Sequence, residues 1–184
     1  MQTDQEYFIY KLLLLLLVSF FSNLFSALSG GGAGLIQLPA LLLFGIPYNQ
    51  ALALHKIATV ALGIGGSLRN FRSFNSDLSV ILTLLIIGIP GVLVGSSLVN
   101  IISNEYLYLI IGLVSIFLGS YSYTKPDLGL AKINKNIDYL TWIRFIIFVF
   151  VIGILNGSIS SGTGLLVTIL LIKTFGIDFL KAIS

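Results

Sequence analysis

Cysteine is absent from this chain, histidine occurs once, and charged residues make up only 9% of its 184 positions. The first absence excludes disulfides, thiolate metal sites and any thiol relay. The scarcity of charge excludes an ordinary soluble domain, in which about a quarter of residues are charged. The few carboxylates, Asp4, Glu6, Asp77, Glu105, Asp127, Asp138 and Asp178, all lie outside the long apolar runs or at their edges. No run therefore carries the buried carboxylate through which Na⁺ or proton coupling usually works. Hydrocarbon fills the chain instead. Hydrophobic residues account for 57% of it and the mean hydropathy is +1.04, so the lipid bilayer is its expected surroundings. A formal charge of +3 and a pI near 9.2 would suggest nucleic acid in a soluble protein. Here the basic residues collect in loops, where membrane orientation and anionic lipid account for them, and no nucleic-acid partner is expected. No cofactor or metal site is expected either.

Apolar runs cover residues 8–28, 35–45, 50–66, 78–99, 105–124, 142–158 and 164–175. A spanning helix needs about 20 residues, so 35–45 and 164–175 are too short and read as half-helices or re-entrant pieces. The fold class is all-α: a polytopic transmembrane helical bundle with two related repeats, the second incomplete, each containing a broken or re-entrant helix. A first repeat covers 1–124, a cytoplasmic linker 125–141, and the start of the second repeat 142–184. The loop 67–77 holds Arg69 and Arg72, and the linker holds Lys125, Lys132 and Lys135, with Arg144 just beyond. Two spans separate these loops, so both take the cytoplasmic side, with Asn104 and Glu105 outside. An external N-terminus fits if 35–45 counts as a crossing, and the repeats are then inverted. A re-entrant 29–45 changes the parity, and the sequence leaves both open. Residues 12–21 also resemble the apolar core of a secretory signal, with small residues at 27–29. An uncleaved first helix is expected, because the apolar stretch continues through Phe25 and its repeat partner is internal.

Residues 28–53, LSGGGAGLIQLPALLLFGIPYNQALA, return in altered form as 159–184, ISSGTGLLVTILLIKTFGIDFLKAIS. Pairing Gly34 with Gly164 and Gly45 with Gly176 aligns Ala51 with Ala182, with one extra residue in the second copy. Glycine-interrupted apolar segments at matching places in two halves of a membrane chain point to a transporter binding site. Gly30, Gly31, Gly32 and Gly34 each cost a helix about 1 kcal/mol relative to alanine, which argues for an interruption there. Pro39 suits the first turns of a new helix, or a kink, and is the expected structural break. A half-helix starting near Leu35 would turn its free N–H groups toward the break and offer partial positive charge to an anion. The second motif surrounds Gly157, Gly162 and Gly164 with Asn156, Ser158, Ser160, Ser161 and Thr163. The candidate solute-binding set is Ser29, Gly30, Gly31, Gly32, Gly34, His55, Asn156, Ser160, Ser161, Gly162, Thr163 and Gly164. Small residues also serve close helix packing, and that is the preferred reading for Gly91 and Gly95.

His55 and Lys56 open the span 50–66, where an ionisable residue is a functional candidate by default. Each also has a plainer role open to it, His55 at the headgroups and Lys56 by snorkelling. Lys173 reads as an interfacial anchor.

The chain resembles the TauE/SafE family, the sulfite-exporter-like membrane permeases. SGGGAGLIQLPALLLFGIP followed by ALALHKIA, then GIPGVLVGSSL, and NGSISSGTG carry the resemblance, over residues 20–184. Gly31, Gly32, Gly34 and Pro39 match the family's glycine-rich stretch leading into a proline-bearing helix, and Ala51–Lys56 match the segment after the next turn. The resemblance implies a multi-pass carrier of the inner membrane, with about eight helices in two halves. Its cargo would be sulfite or another organosulfur or organic acid anion, moved outward. The second copy stops at the partner of Ala53, so the expectation is a fragment of a longer permease, or a short form needing a partner. A homo-oligomer stays open. The competing classes are a non-transporting membrane subunit and an intramembrane serine protease. The latter would need Ser158, Ser160 or Ser161 to meet His55.

Overall fold

The computed structural model describes residues 2–70, 78–125, 127–130 and 137–183. The basic-loop residues Arg72, Lys132 and Lys135, with Asp77, lie outside the described residues, and the side chain of Arg69 is likewise outside them. Eight helices follow one another among the described residues: α1 (Gln2–Ser29), α2 (Ala33–Leu43), α3 (Tyr48–Asn70), α4 (Leu78–Leu98), α5 (Asn104–Thr124), α6 (Tyr139–Ser158), α7 (Thr163–Phe175) and α8 (Phe179–Ile183). Five stretches among the described residues are long and apolar enough to cross a bilayer: Ile9–Ser29, Tyr48–Leu68, Leu78–Leu98, Asn104–Thr124 and Tyr139–Ser158. The protein is an all-α, multi-pass membrane bundle. Its large exposed side chains, such as Leu43, Ile116 and Phe117, would be a liability in water and here form the lipid-facing surface.

α2 and α7 have 11 and 13 residues, about 17 and 20 Å at 1.5 Å per residue, against about 30 Å of hydrocarbon. Neither spans. Each folds back along the helix before it. Gln37 of α2 donates to the Ser19 hydroxyl of α1 at 3.1 Å, and Phe175 of α7 stacks edge-on against Phe145 of α6 at 4.9 Å between ring centres. Two helical hairpins result, one turning at Gly30–Gly32 and the other at Ile159–Gly162.

The contacts also set helix directions. Tyr48 at the start of α3 meets Tyr108 near the start of α5, with rings 6.1 Å apart, so these two helices run together. Tyr48 also donates to the Ser158 carbonyl at the end of α6, at 2.6 Å, so α6 runs the other way. α4 lies parallel to α6 along a seam of glycines. A Cβ on Gly153 would sit 2.7 Å from the Gly88 carbonyl oxygen, and one on Gly95 or Gly157 would overlap the facing backbone of Ile154 or Val92. Small residues at this spacing let two backbones touch, the packing role foreseen for Gly91 and Gly95.

Two apolar clusters fix the hairpins in this frame. Leu38, Leu41, Tyr48, Leu52, Leu107, Ile111 and Ile159 join α2, α3 and α5 to the second turn, while Phe145, Val149 and Leu171 join α6 to α7. α6 begins three residues before the expected 142, because Asp138 caps it by accepting the Thr141 N–H at 2.9 Å. Hydrogen bonds from the Thr141 hydroxyl and then its N–H hold the Asp138 carboxyl below the ordinary carboxylate range. This cap is complete at neutral pH and is lost as pH falls through that lowered value. The seam gives a direct prediction. Gly95→Ala should lower thermal stability in detergent by about 1–3 kcal/mol, the usual overpacking cost. Gly112→Ala on α5, where a Cβ meets nothing within 4 Å, should be neutral or stabilising; a matching loss there would remove the packing explanation.

Candidate functional site

Three successive glycines turn the first hairpin, with φ of 75° at Gly30, 113° at Gly31 and 103° at Gly32. Only glycine adopts such a run without strain. The turn is held locally, Gly31 N–H to the Ser26 carbonyl at 2.9 Å and Leu35 N–H to the Gly32 carbonyl at 2.8 Å. Pro39 lies inside α2, seven positions into a helix that starts at Ala33 rather than near Leu35. The interruption therefore falls at the glycines, and the proline occupies the second turn beyond it. The second hairpin turns through Ser160, a non-glycine at φ 52°, and Gly162 at φ 70°. A serine held there is strained by its own Cβ and persists because its surroundings leave it no other fit.

The two turns touch. A Cβ on Gly31 would sit 2.6 Å from the Gly164 backbone, and one on Gly34 would sit 2.8 Å from the Ser160 carbonyl oxygen and 2.9 Å from His55 Nε2. The Ser161 hydroxyl donates to the Gly34 carbonyl at 3.2 Å, and the Thr168 hydroxyl to the Gly30 carbonyl at 2.7 Å. The pairing that sets Gly34 opposite Gly164 also sets Gly31 opposite Ser161, so it exchanges the Gly34–Ser161 contact with the Gly164–Gly31 contact.

Around this junction lies a cleft of about 1340 Å³. Gly30, Gly31, Gly32, Gly34, His55, Asn156, Ser160, Thr163 and Gly164 line it. Three residues of the expected set are placed otherwise. Ser29 is exposed and bonds the Gly31 carbonyl at 2.9 Å; Ser161 is fully buried in the junction; and Gly162 faces Leu118 and Leu35. The cleft continues along Gly63, Gly65 and Gly66 of α3 and Leu84 and Gly88 of α4, toward the end of the bundle where α3 leads into α4.

Asn156 Oδ1 accepts from the Ser160 hydroxyl at 3.1 Å and the Thr163 hydroxyl at 3.0 Å, which leaves its amide N–H₂ as the group to offer the cleft. Gly32 and Gly162 precede α2 and α7 without a side-chain cap, so no cap side chain takes the first N–H groups of either helix beside the junction; in α2 the Leu35 N–H already bonds the Gly32 carbonyl.

His55 is 1% exposed and ties the parts together. Its Nδ1 lies 2.9 Å from Gln37 Oε1, and its ring also bonds the Ser160 backbone. Gln37 in turn reaches Ser19 and, at 3.4 Å, Asn23. Sequence reasoning passed over this group. Ser19, Ser22, Asn23 and Ser26 recur at helical spacing along an otherwise apolar span, a polar stripe that could have been read as an inward face. Lys56 does not snorkel: its Nζ donates to the Asn156 carbonyl at 2.8 Å. Lys173 stands at the end of α7 with Nζ 4.9 Å from the centre of the Tyr121 ring, a cation–π contact.

The family model for the sulfite exporter TauE/SafE matches residues 15–184. The chain belongs to the TauE/SafE family. A protein of Sinorhizobium sp. named "probable membrane transporter protein ORF9" is 25% identical over 178 residues, covering 97% of this chain and 67% of that protein. A "probable membrane transporter protein" of Haemophilus influenzae is 28% identical over 171 residues, covering 93% of this chain and 66% of the other. The chain thus spans about two thirds of the length of these relatives. No solved structure matches it.

The junction is testable by itself. Gly34→Ala forces a methyl between the Ser160 carbonyl and His55, and should destabilise the purified protein by about 1–3 kcal/mol. Gly63→Ala, which meets nothing within 4 Å, should be neutral or raise the melting temperature, since alanine is the better helix former. Equal melting of both variants would show that the turns do not need this contact.

Proposed function

We propose that this member of a transporter family carries a small anion, sulfite or an organosulfur or organic acid anion, outward across the inner membrane. The observation that carries this reading is the meeting of two uncapped half-helix N-termini in one cleft. Each brings about half a unit of positive charge and unsatisfied N–H groups, the usual makings of an anion site. The Asn156 amide adds a further donor. The basic loop 67–77 and the linker 125–141 lie at the starts of the parallel helices α4 and α6, which supports a shared cytoplasmic side by the positive-inside rule. In that orientation the cleft opens to the cytoplasm and loads cargo there.

Membrane potential contributes about 2.3 kcal/mol per charge per 100 mV, so an inside-negative cell expels an anion without ion coupling. Within the five described spans the one carboxylate is Glu105, in the first turn of α5, which agrees with uniport. The two hairpins, entering in opposed directions, supply the inverted elements that rock around a fixed site in such carriers. The protease reading loses its support from the local bonding: the Ser158, Ser160 and Ser161 hydroxyls donate to Ile154, Asn156 and Gly34 respectively.

Sulfite efflux from vesicles should rise with inside-negative potential, and efflux that ignores potential would contradict uniport. Asn156→Asp keeps the acceptor for both hydroxyls but sets negative charge in the cleft; efflux should fall about tenfold or more, equivalent to the loss of roughly 1.4 kcal/mol. Undiminished efflux in that variant would remove Asn156 from the site.

A further inference from the structure

A second, smaller cavity of about 270 Å³, shallow and largely open at the surface, lies between α3, α4 and α6. Asn49, Ala53 and Lys56 of α3, Ser96 of α4, Asn100 in the turn after it and Gly157 of α6 line it. The main cleft runs along the second half of α3 and the middle of α4, whereas this cavity runs along the first half of α3 and the end of α4 with the turn after it. Because α3 and α4 are opposed, the two cavities open toward opposite ends of the bundle. Their boundary is sharp. His55 lines the cleft and Lys56 the small cavity; Asn156 lines the cleft and Gly157 the small cavity. One hydrogen bond crosses that boundary, Lys56 Nζ to the Asn156 carbonyl oxygen.

We propose that the Lys56–Asn156 bond is the gate between the two cavities, and that Lys56 is the exit subsite for a small oxyanion. This rests on the carrier reading above and extends it to the second face. An ammonium within a span is costly and pairs with a carboxylate or a backbone carbonyl. Lys56 holds a backbone carbonyl, a partner that an anion outcompetes by charge. An ammonium has three N–H donors, and the bond to Asn156 uses one. Release of the carbonyl turns the charge toward Asn49, Ser96 and Asn100 and joins the cleft to the far cavity in the same movement. The carbonyl that Lys56 holds belongs to the residue whose amide faces the cargo, so arrival of the anion and opening of the gate act on a single residue.

The absence of native cysteine makes introduced thiols clean reporters. Thr59→Cys in the cleft and Ser96→Cys in the far cavity would be labelled in right-side-out and inverted vesicles, using membrane-impermeant anionic and cationic methanethiosulfonates. With Lys56 present, Thr59→Cys should react from the α3–α4 loop side alone. In the Lys56→Gln background its reaction from the opposite side should rise about tenfold, the change given by about 1.4 kcal/mol, and Lys56→Arg should restore one-sidedness. Unchanged sidedness in Lys56→Gln would overturn the gate. At Ser96→Cys with Lys56 intact, the anionic reagent should outpace the cationic one by about fivefold, as expected for one nearby charge in a wet setting. Equal rates would overturn the subsite. Neither readout depends on sulfite flux, so failure of the flux experiment with these results intact counts against the carrier reading alone.

Discussion

Where Gly31 lies against Gly164, backbone touches backbone, and the polar interior is organised by that contact. A helix that stops inside hydrocarbon leaves several N–H groups without partners, at a cost of several kcal/mol each when lipid surrounds them. Two such stops are tolerable together because each shields the other and both border a cleft wide enough for water. Any side chain at Gly31 or Gly34 would separate the turns and return those groups to lipid. The glycines therefore do two things: they supply the left-handed turn, and they permit the approach that makes the turn affordable.

The seam between α4 and α6 answers a related constraint. There the close approach of Gly95 and Gly157 sets backbone against backbone. The junction of the hairpins differs by its attendants: Asn156, Ser160, Thr163 and His55 surround it, while Val92 and Ile154 surround the seam. Small residues bring helices together in both, and the neighbours decide whether the meeting is a site or a joint.

Much of this was legible before any coordinates. Run length separated the five spanning stretches from the two short ones, since 11 or 13 residues cannot cross hydrocarbon. Glycine clustering placed both interruptions, and the self-similarity of residues 28–53 and 159–184 joined them as a pair. Helix direction was not legible. Whether residues 33–43 continue or reverse depends on Gln37 meeting Ser19 and His55, which are contacts between helices and leave no local periodicity. Pro39 fits its reading as a residue of the first turns of a new helix: it stands in the second turn of α2, just after the three positive-φ glycines that make the break. Lys56 looked like a snorkelling residue because its partner is a main-chain oxygen, which no side-chain pattern announces. Sequence also gave no sign that Ser161 and Gly162 would face the protein while their neighbours Ser160 and Thr163 face the cleft.

Gly63, Gly65 and Gly66 on α3 meet no neighbouring atom where a Cβ would stand. Three hydrogens thus occupy the rim of the cleft where larger groups would otherwise project, and the bore there is set by bare main chain. Rotamer changes on that face cannot narrow the cleft, so any such adjustment falls to the side chains across from it, Leu84, Ile89 and Val92 of α4.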